Sequence, residues 1–198
     1  MGELVLVRHG ETQWTVTGRH TSRTDLPLTP NGEEQARALV PLLTGLHIAY
    51  ALTSPLERAR QTAKLAGLGN ALVDSDLREW DYGGYEGVTT HDIRRERPDW
   101  DLWTDGVVPG PDGRPGETAA EVGARADRVL ARIGAALADN GSGDVVLVAH
   151  GHFLRVLTAR RLGLPPADGA LFQLATGTVS RLGLEHGRPV LTEWNRLP

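Results

Sequence analysis

The sequence predicts a three-layer α/β/α fold, with a mostly parallel central sheet and helices on both faces. Three observations carry that prediction. Short apolar runs of strand length alternate with segments of helical length and periodicity. The most hydrophobic run, Asp144–Ala149, lacks polar alternation, as expected of a strand covered on both faces of a parallel sheet. The chain has 198 residues, 40% hydrophobic and 23% charged, enough for one soluble domain with a sizeable core. Residues 1–198 are therefore expected to form a single domain.

The elements follow in order. Residues 3–7 read as a buried strand that ends at Arg8-His9-Gly10. Thr29 before Pro30 pairs a capping residue with proline at the first helical position, opening a helix to about residue 45. Residues 48–53 are the next strand. Ser54-Pro55-Leu56-Glu57 reads as a capping box that starts a helix towards Gly67. Residues 70–88, rich in glycine and aromatics, read as loop and short strand. Residues 89–97 form a short polar helix stopped by Pro98. Between Gly106 and Gly116, three prolines and four glycines predict a surface loop with little to pack against, the most mobile element. Thr118 and Glu121 form a second capping box, and the helix behind it runs to about Asp139 with Val122, Ala126, Val129, Ile133 and Ala136 as its apolar stripe. After residues 144–149, a helix is expected over 153–162, then strands over 171–174 and 178–184.

Composition excludes several chemistries. There are 0 cysteines, which removes disulfides, thiolate metal sites, iron–sulfur clusters and cysteine nucleophiles. A net charge of −4 gives no footprint for nucleic acid. Lys64 is the only lysine among 21 cations, and it stands in Ala-Lys-Leu, so a Gly-Lys-Ser/Thr phosphate loop is closed off. The remaining arginines reflect composition bias for the most part, but their forked donors suit phosphate and carboxylate recognition. The longest apolar run is too short to cross a bilayer, and the first residues carry no cationic lead-in to an apolar stretch. No membrane association is expected, and a cytoplasmic location is.

Two His-Gly dipeptides each follow an apolar strand directly, His9-Gly10 and His150-Gly151. In open α/β sheets, ligands bind beyond the carboxyl ends of strands, where strand order reverses. His150-Gly-His152 together with His9 has metal-ligand spacing, yet Arg8 sets a fixed cation beside such a site, which disfavours a metal. Anion chemistry fits better. Arg8 and the helix start Arg58-Ala-Arg60 offer bidentate donors, and the helix after Ser54 presents its positive end. A neutral histidine serves as a phosphoryl acceptor without losing a proton from a high-pKa group. Glu79, flanked by Trp80 and Tyr82 that exclude water, is a proton donor for the leaving oxygen; Asp81 and Glu86 are alternatives.

At these residues the sequence resembles the histidine phosphatase superfamily, the phosphoglycerate-mutase-like proteins. The resemblance is carried by Arg8-His9-Gly10-Glu11-Thr12, by residues 26–35, 53–62 and 77–83, by Glu86-Gly87, and by Val148-Ala-His150-Gly151, in family order. It implies that His9 is the phosphorylated nucleophile, that Arg8, Arg58 and His150 hold the phosphoryl oxygens, and that Glu79 donates the proton and later activates water. Thr15, Thr21, Ser22, Gly151 and His152 fall on the substrate side. Arg60 is assigned a structural role. No metal or organic cofactor is implied.

Mutases of this kind carry Trp-Asn where this chain has Trp14-Thr15, and they are longer, with inserted segments that enclose the intermediate. The shorter chain favours hydrolysis, because water reaches the phosphohistidine. The pattern is most similar to the sugar-phosphatase branch, which includes sedoheptulose-bisphosphatase-like enzymes. Ser22 stands for a glycine of that branch and Arg23 for an apolar residue; Trp14, Trp80 and Tyr82 are candidate stacking walls, with core packing the expected role of at least one, and His20 is a lesser pocket candidate than His152. The expected partner is a small phosphorylated metabolite, a sugar phosphate ahead of a nucleotide. The alternatives are a phosphoglycerate mutase and a catalytically silent phospho-ligand binding module. The sequence is also compatible with a homodimer.

Overall fold

The computed structural model describes residues 2–138 and 143–198. Strand β1 (Leu4–Arg8) is followed by a short helix α1 (Gln13–Thr17), then α2 (Pro30–Ala38) and α3 (Val40–Leu43). Next come β2 (Ile48–Thr53), α4 (Glu57–Leu65) and the two-residue β3 (Leu72–Val73). Helices α5 (Thr90–Glu96), α6 (Leu102–Asp105) and α7 (Ala119–Ala138) precede β4 (Asp144–Ala149) and α8 (Gly151–Arg161). A hairpin of β5 (Val179–Glu185) and β6 (Arg188–Arg196) closes the chain.

The sheet order is β3-β2-β4-β1-β5-β6. Pairs β1–β4, β2–β4 and β2–β3 are parallel, and β5 runs against both of its neighbours. The sheet is thus mostly parallel, with β4 and β1 at its centre. Period-2 alternation along these two strands feeds two cores. Leu4, Leu6, Val145, Leu147 and Ala149 pack with Val122, Val129 and Ile133 of α7 and Phe153 and Leu157 of α8. Val5, Val7, Val146 and Val148 pack with Leu39, Leu43, Ala59 and Ala63 from the α2–α4 layer on the other face. Among the described residues no helix is long and apolar enough to cross a membrane.

Several local expectations are corrected. The helix expected to run to residue 45 breaks at Leu39, because Pro41 has no N–H for the carbonyl four residues back. The Ser54–Glu57 capping box does not form: Leu56 is the N-cap, the Glu57 amide donates to Asp25 Oδ1 at 2.7 Å, and the Ser54 hydroxyl turns to His150. The Thr118–Glu121 box does form, with bonds of 2.8 and 3.2 Å. Residues 171–174 are not a strand; a 3-10 turn over Pro166–Leu171 leads into an irregular segment that crosses the end of β1. Strand β6, not anticipated, covers β5 at the sheet edge, where Pro189 removes no ladder bond that matters. The 106–116 loop does find packing partners: Gly84 N donates to Val108 O at 2.7 Å, and Trp100 Nε1 to Gly106 O at 3.0 Å. The expected helix end at Asp139 lies outside the described residues.

Candidate active site

Strand register builds the centre of the site. Arg8 pairs with Ala149 across β1–β4, and Thr53 with Val148 across β2–β4. The ladder continues one step, with His9 N donating to Ala149 O and Ser54 N to Val148 O, both at 3.0 Å. His9, His150 and Ser54 therefore leave the carboxyl ends of three adjacent strands. The rings of His9 and His150 lie edge to face with centroids 5.1 Å apart. Gly10 permits the approach of α2, since a Cβ there would sit 2.3 Å from the Gly32 carbonyl. Its amide is held by Thr62 Oγ1 of α4 at 3.1 Å.

The protonation pattern follows from donors and acceptors. His9 Nδ1 lies 2.7 Å from the Gly10 carbonyl, which can only accept, so Nδ1 carries the proton and Nε2 keeps its lone pair. His9 is 4% exposed. Burial pushes its pKa well below the ordinary imidazole value, and the cations Arg58 and Arg8 push the same way. His150 is fully buried, and burial, then Arg58, holds its pKa well below the ordinary value too. Arg58 Nε donates to its Nδ1 at 3.2 Å, which leaves Nε2–H to donate to Ser54 Oγ at 2.7 Å.

Two guanidiniums flank the histidines. Arg58, on the first turn of α4, has no exposed surface and donates to the carbonyls of Thr24, Thr21 and Ser22 at 3.1–3.2 Å. Arg8 packs against Gly151, where a Cβ would come within 3.0 Å of Cζ, and donates through Nη1 to the Leu174 carbonyl. Its Nε is buried and has no hydrogen-bond partner. A buried donor left unpaired costs about 1–3 kcal/mol, and this one is available to an anion. Burial lowers the pKa of both arginines, yet guanidinium remains charged throughout the physiological range.

Glu79 is 7% exposed. It does not pair with Arg78 at the surface. Its Oε1 accepts from the amides of Trp80 (2.9 Å) and Phe153 (2.8 Å), and Oε2 from that of His152 (3.1 Å). The carboxylate thus sits on the first amides of α8, the turn that follows His150. It also lines a cleft of about 620 Å³ together with Ser22, Arg23, Arg78, Asp81 and Arg114. His9 and His150 are not among the residues that line it. Both alternative acids are hydrogen-bonded as well. Asp81 pairs with Arg23 and accepts from Gly83 N at 3.1 Å. Glu86 accepts from Ser22 N (2.9 and 3.0 Å) and Thr24 N (3.0 Å), clamping the loop that Arg58 holds from the other side.

The remaining expected residues fall in varied places. The Thr15 hydroxyl donates to Thr12 O at 2.9 Å and accepts from Thr12 N at 2.8 Å in the capping box of α1. Thr21 and Ser22 meet the site through their carbonyls on Arg58. Trp80 is a core residue with no exposure, its Nε1 bonded to Glu117 O, so it is no stacking wall. Trp14 is half-buried over Gly87. His20 is buried and donates through Nδ1 to Val88 O at 2.8 Å, with its ring 4.8 Å from that of Tyr82. His152 Nδ1 shares a 2.6 Å hydrogen bond with the Tyr82 hydroxyl. Because both nitrogens of His150 and one of His152 are engaged this way, the three histidines do not converge as a metal set. Sequence reasoning missed Ser54 as the partner of His150, Thr62 as the holder of Gly10, and Glu86 as the loop clamp. Only Ser54 carried a local signal, its place at a strand end beside the two His-Gly turns.

Comparison with known proteins follows the same lines. The model of the histidine phosphatase superfamily (branch 1) matches residues 4–197. The chain is 44% identical over 186 residues to an acid phosphatase of Mycobacterium tuberculosis, covering 93% of this chain and 87% of that one. It is 37% identical over 189 residues to sedoheptulose 1,7-bisphosphatase of Saccharomyces cerevisiae, covering 81% and 67%. The solved structure of the Rv3214 open reading frame product of Mycobacterium tuberculosis superposes with a TM-score of 0.89 at 41% identity, over 99% of this chain and 98% of that one.

Proposed function

The chain belongs to the histidine phosphatase superfamily, branch 1, and on that premise we propose that it hydrolyses phosphomonoesters of a small metabolite through a phosphorylated His9. A phosphatase reading stands ahead of the mutase one, as the names of its relatives favour. The observation that carries the mechanism is the state of His9: buried, with Nδ1–H tied to the Gly10 carbonyl and Nε2 unprotonated, beside the buried Arg58 and the half-buried Arg8.

The chemistry then runs in two steps. Nε2 of His9 attacks phosphorus in line, forming the N–P bond as the ester P–O bond breaks. The leaving oxygen takes its proton from Glu79. Arg8 and Arg58 hold the equatorial oxygens, where transition-state charge develops. His150, tied at Nδ1 to Arg58 and at Nε2 to Ser54, fixes the Arg58 guanidinium beside the phosphoryl group. Glu79 then takes a proton from water, which attacks phosphorus, and the N–P bond breaks to restore neutral His9 and release phosphate.

The donors of this site are cationic, and two fixed guanidiniums beside the histidines disfavour a divalent ion. The proposed activity therefore uses no metal. A sugar phosphate is the favoured substrate, in line with the 37% identity to the yeast bisphosphatase. We read residues 1–198 as one catalytic unit, and the cytoplasm, where such metabolites reside, as its location. The test is hydrolysis of a panel of sugar phosphates, nucleotides and phosphoglycerates in EDTA. Activity is expected to survive the chelator, to fall by at least about 10³-fold in His9→Ala, and to leave an acid-labile, base-stable phosphoryl label on the wild-type chain. Full activity in His9→Ala removes the proposal.

A further inference from the structure

Among the described residues, two that are not glycine have positive φ: His186 at 49° and Asn195 at 56°. His186 lies in the β5–β6 turn, where that conformation is expected. Asn195 lies inside β6, where it is not. The β5–β6 register slips between Val179 and Arg181, because β6 advances one residue more than its partner there, and Asn195 falls in that bulge. Its backbone amide, lost to the ladder, is taken by the buried Ser180 Oγ at 2.9 Å. Asparagine is among the few residues that tolerate this φ, so the bulge is built to aim its side chain.

The side chain reaches the site. Asn195 Oδ1 accepts from Ala175 N at 2.7 Å. That N–H belongs to the same peptide unit as the Leu174 carbonyl, and the Leu174 carbonyl accepts from Arg8 Nη1. One rigid peptide plane is therefore gripped from both sides, by Asn195 on its N–H and by Arg8 on its C=O. The same segment is fastened to the end of β1 by Gly177 N, which donates to His9 O at 3.0 Å, and by Arg8 N, which donates to Thr178 O at 3.2 Å. Polarisation along such a chain strengthens the carbonyl as an acceptor.

We infer that Asn195 is a positioning residue for Arg8: it orients the Leu174–Ala175 peptide that fixes the guanidinium, and so sets the affinity for the phosphoryl group. The inference rests on the reading that Arg8 holds phosphoryl oxygens. The experiment measures orthovanadate binding by titration calorimetry, which needs no turnover. Asn195→Gly adopts the same φ without strain but lacks the acceptor; Asn195→Asp keeps an oxygen there. Each is made with Arg8 intact and combined with Arg8→Ala, and folding is checked by circular dichroism. With Arg8 present, Asn195→Gly is expected to raise Kd about tenfold, the scale of one hydrogen bond, and Asn195→Asp to return it to within about threefold. In the Arg8→Ala background the effect of Asn195→Gly is expected to shrink below about twofold. An unchanged Kd in Asn195→Gly, or equal weakening in both backgrounds, overturns the positioning role. A Kd unaffected by Arg8→Ala overturns the assignment of Arg8 itself, and the inference with it.

Discussion

The site has two halves built by different means. The phosphoryl centre, His9, His150 and Ser54, stands on main-chain register: three parallel strands end side by side, and the ladder carries the residues one step further. The substrate wall, residues 21–24, 79–86 and the 106–118 segment, has no ladder. It is held by side chains reaching distant backbone, as Arg58 reaches three carbonyls and Glu86 two amides. Geometry in the first half is a by-product of folding the core. In the second it depends on individual buried polar contacts, each removable by one substitution. The halves meet at Glu79, a wall residue whose carboxylate is seated on the first turn behind His150.

Glu79→Gln tests that meeting point and carries the largest expected effect. The amide keeps an acceptor for the α8 amides but cannot deliver a proton. For an alkyl phosphate, kcat is expected to fall about 10²–10⁴-fold, the usual range for a lost general acid. For p-nitrophenyl phosphate, whose leaving group is acidic, the loss is expected to be far smaller. Steady-state kinetics on the two esters decides it; an equal loss on both makes Glu79 a structural anchor of α8.

The pH dependence of stability probes the buried histidines, those of the centre together with His152 and His20, whose pKa values burial also lowers. His9 and His150 are buried, neutral and depressed in pKa by burial. Below about pH 6.5 the unfolded chain binds protons at these residues that the folded chain does not. Stability is therefore present above that pH and is lost as pH falls, by up to about 1.4 kcal/mol per pH unit for each histidine. Thermal midpoints measured between pH 8 and 5 are expected to drop by several degrees below pH 6.5. A flat profile shows that these histidines charge freely in the folded state.

The centre was legible in the sequence for a physical reason. An apolar strand followed by His-Gly is local information, and parallel topology brings such ends together. The two-core layering was legible likewise, from the unbroken apolar runs of residues 4–7 and 145–148, as strands covered on both faces require. The wall was not. Ser54 reads locally as a helix cap because Ser-x-x-Glu satisfies that pattern, while its actual partner, His150, is 96 residues away. The sequence leaves open which of Trp14, Trp80 and Tyr82 belongs to the core, because the core that Trp80 fills is assembled from the distant α7 and α8. The strand expected at 171–174 gave way to a segment whose carbonyl is needed by Arg8 at the far end of the chain.

Glu86→Ala separates wall from centre. The change strips a carboxylate from the amides of Ser22 and Thr24 and frees the loop that Arg58 holds. About 2 kcal/mol of stability is expected to go, the scale of buried amides left unpaired. KM for a sugar phosphate is expected to rise several-fold with kcat within about threefold, because His9, His150 and Ser54 stand on strand ends rather than on that loop. Denaturant unfolding and steady-state kinetics read the two effects. A collapse of kcat instead shows that the wall controls the centre through Arg58.

The smallest effect tests how far the wall contributes at all. Thr15 follows the signature residues closely enough to suggest a hydroxyl for the phosphate, but its proton goes to Thr12 O and its oxygen receives Thr12 N. That capping box keeps α1 in place, and no donor remains for an anion. Thr15→Ala is thus expected to shift kcat/KM by less than about twofold, while loss of the cap costs about 0.5–1 kcal/mol of stability. If kcat/KM falls tenfold with stability unchanged, the hydroxyl leaves the cap for the substrate, and the wall rearranges on binding.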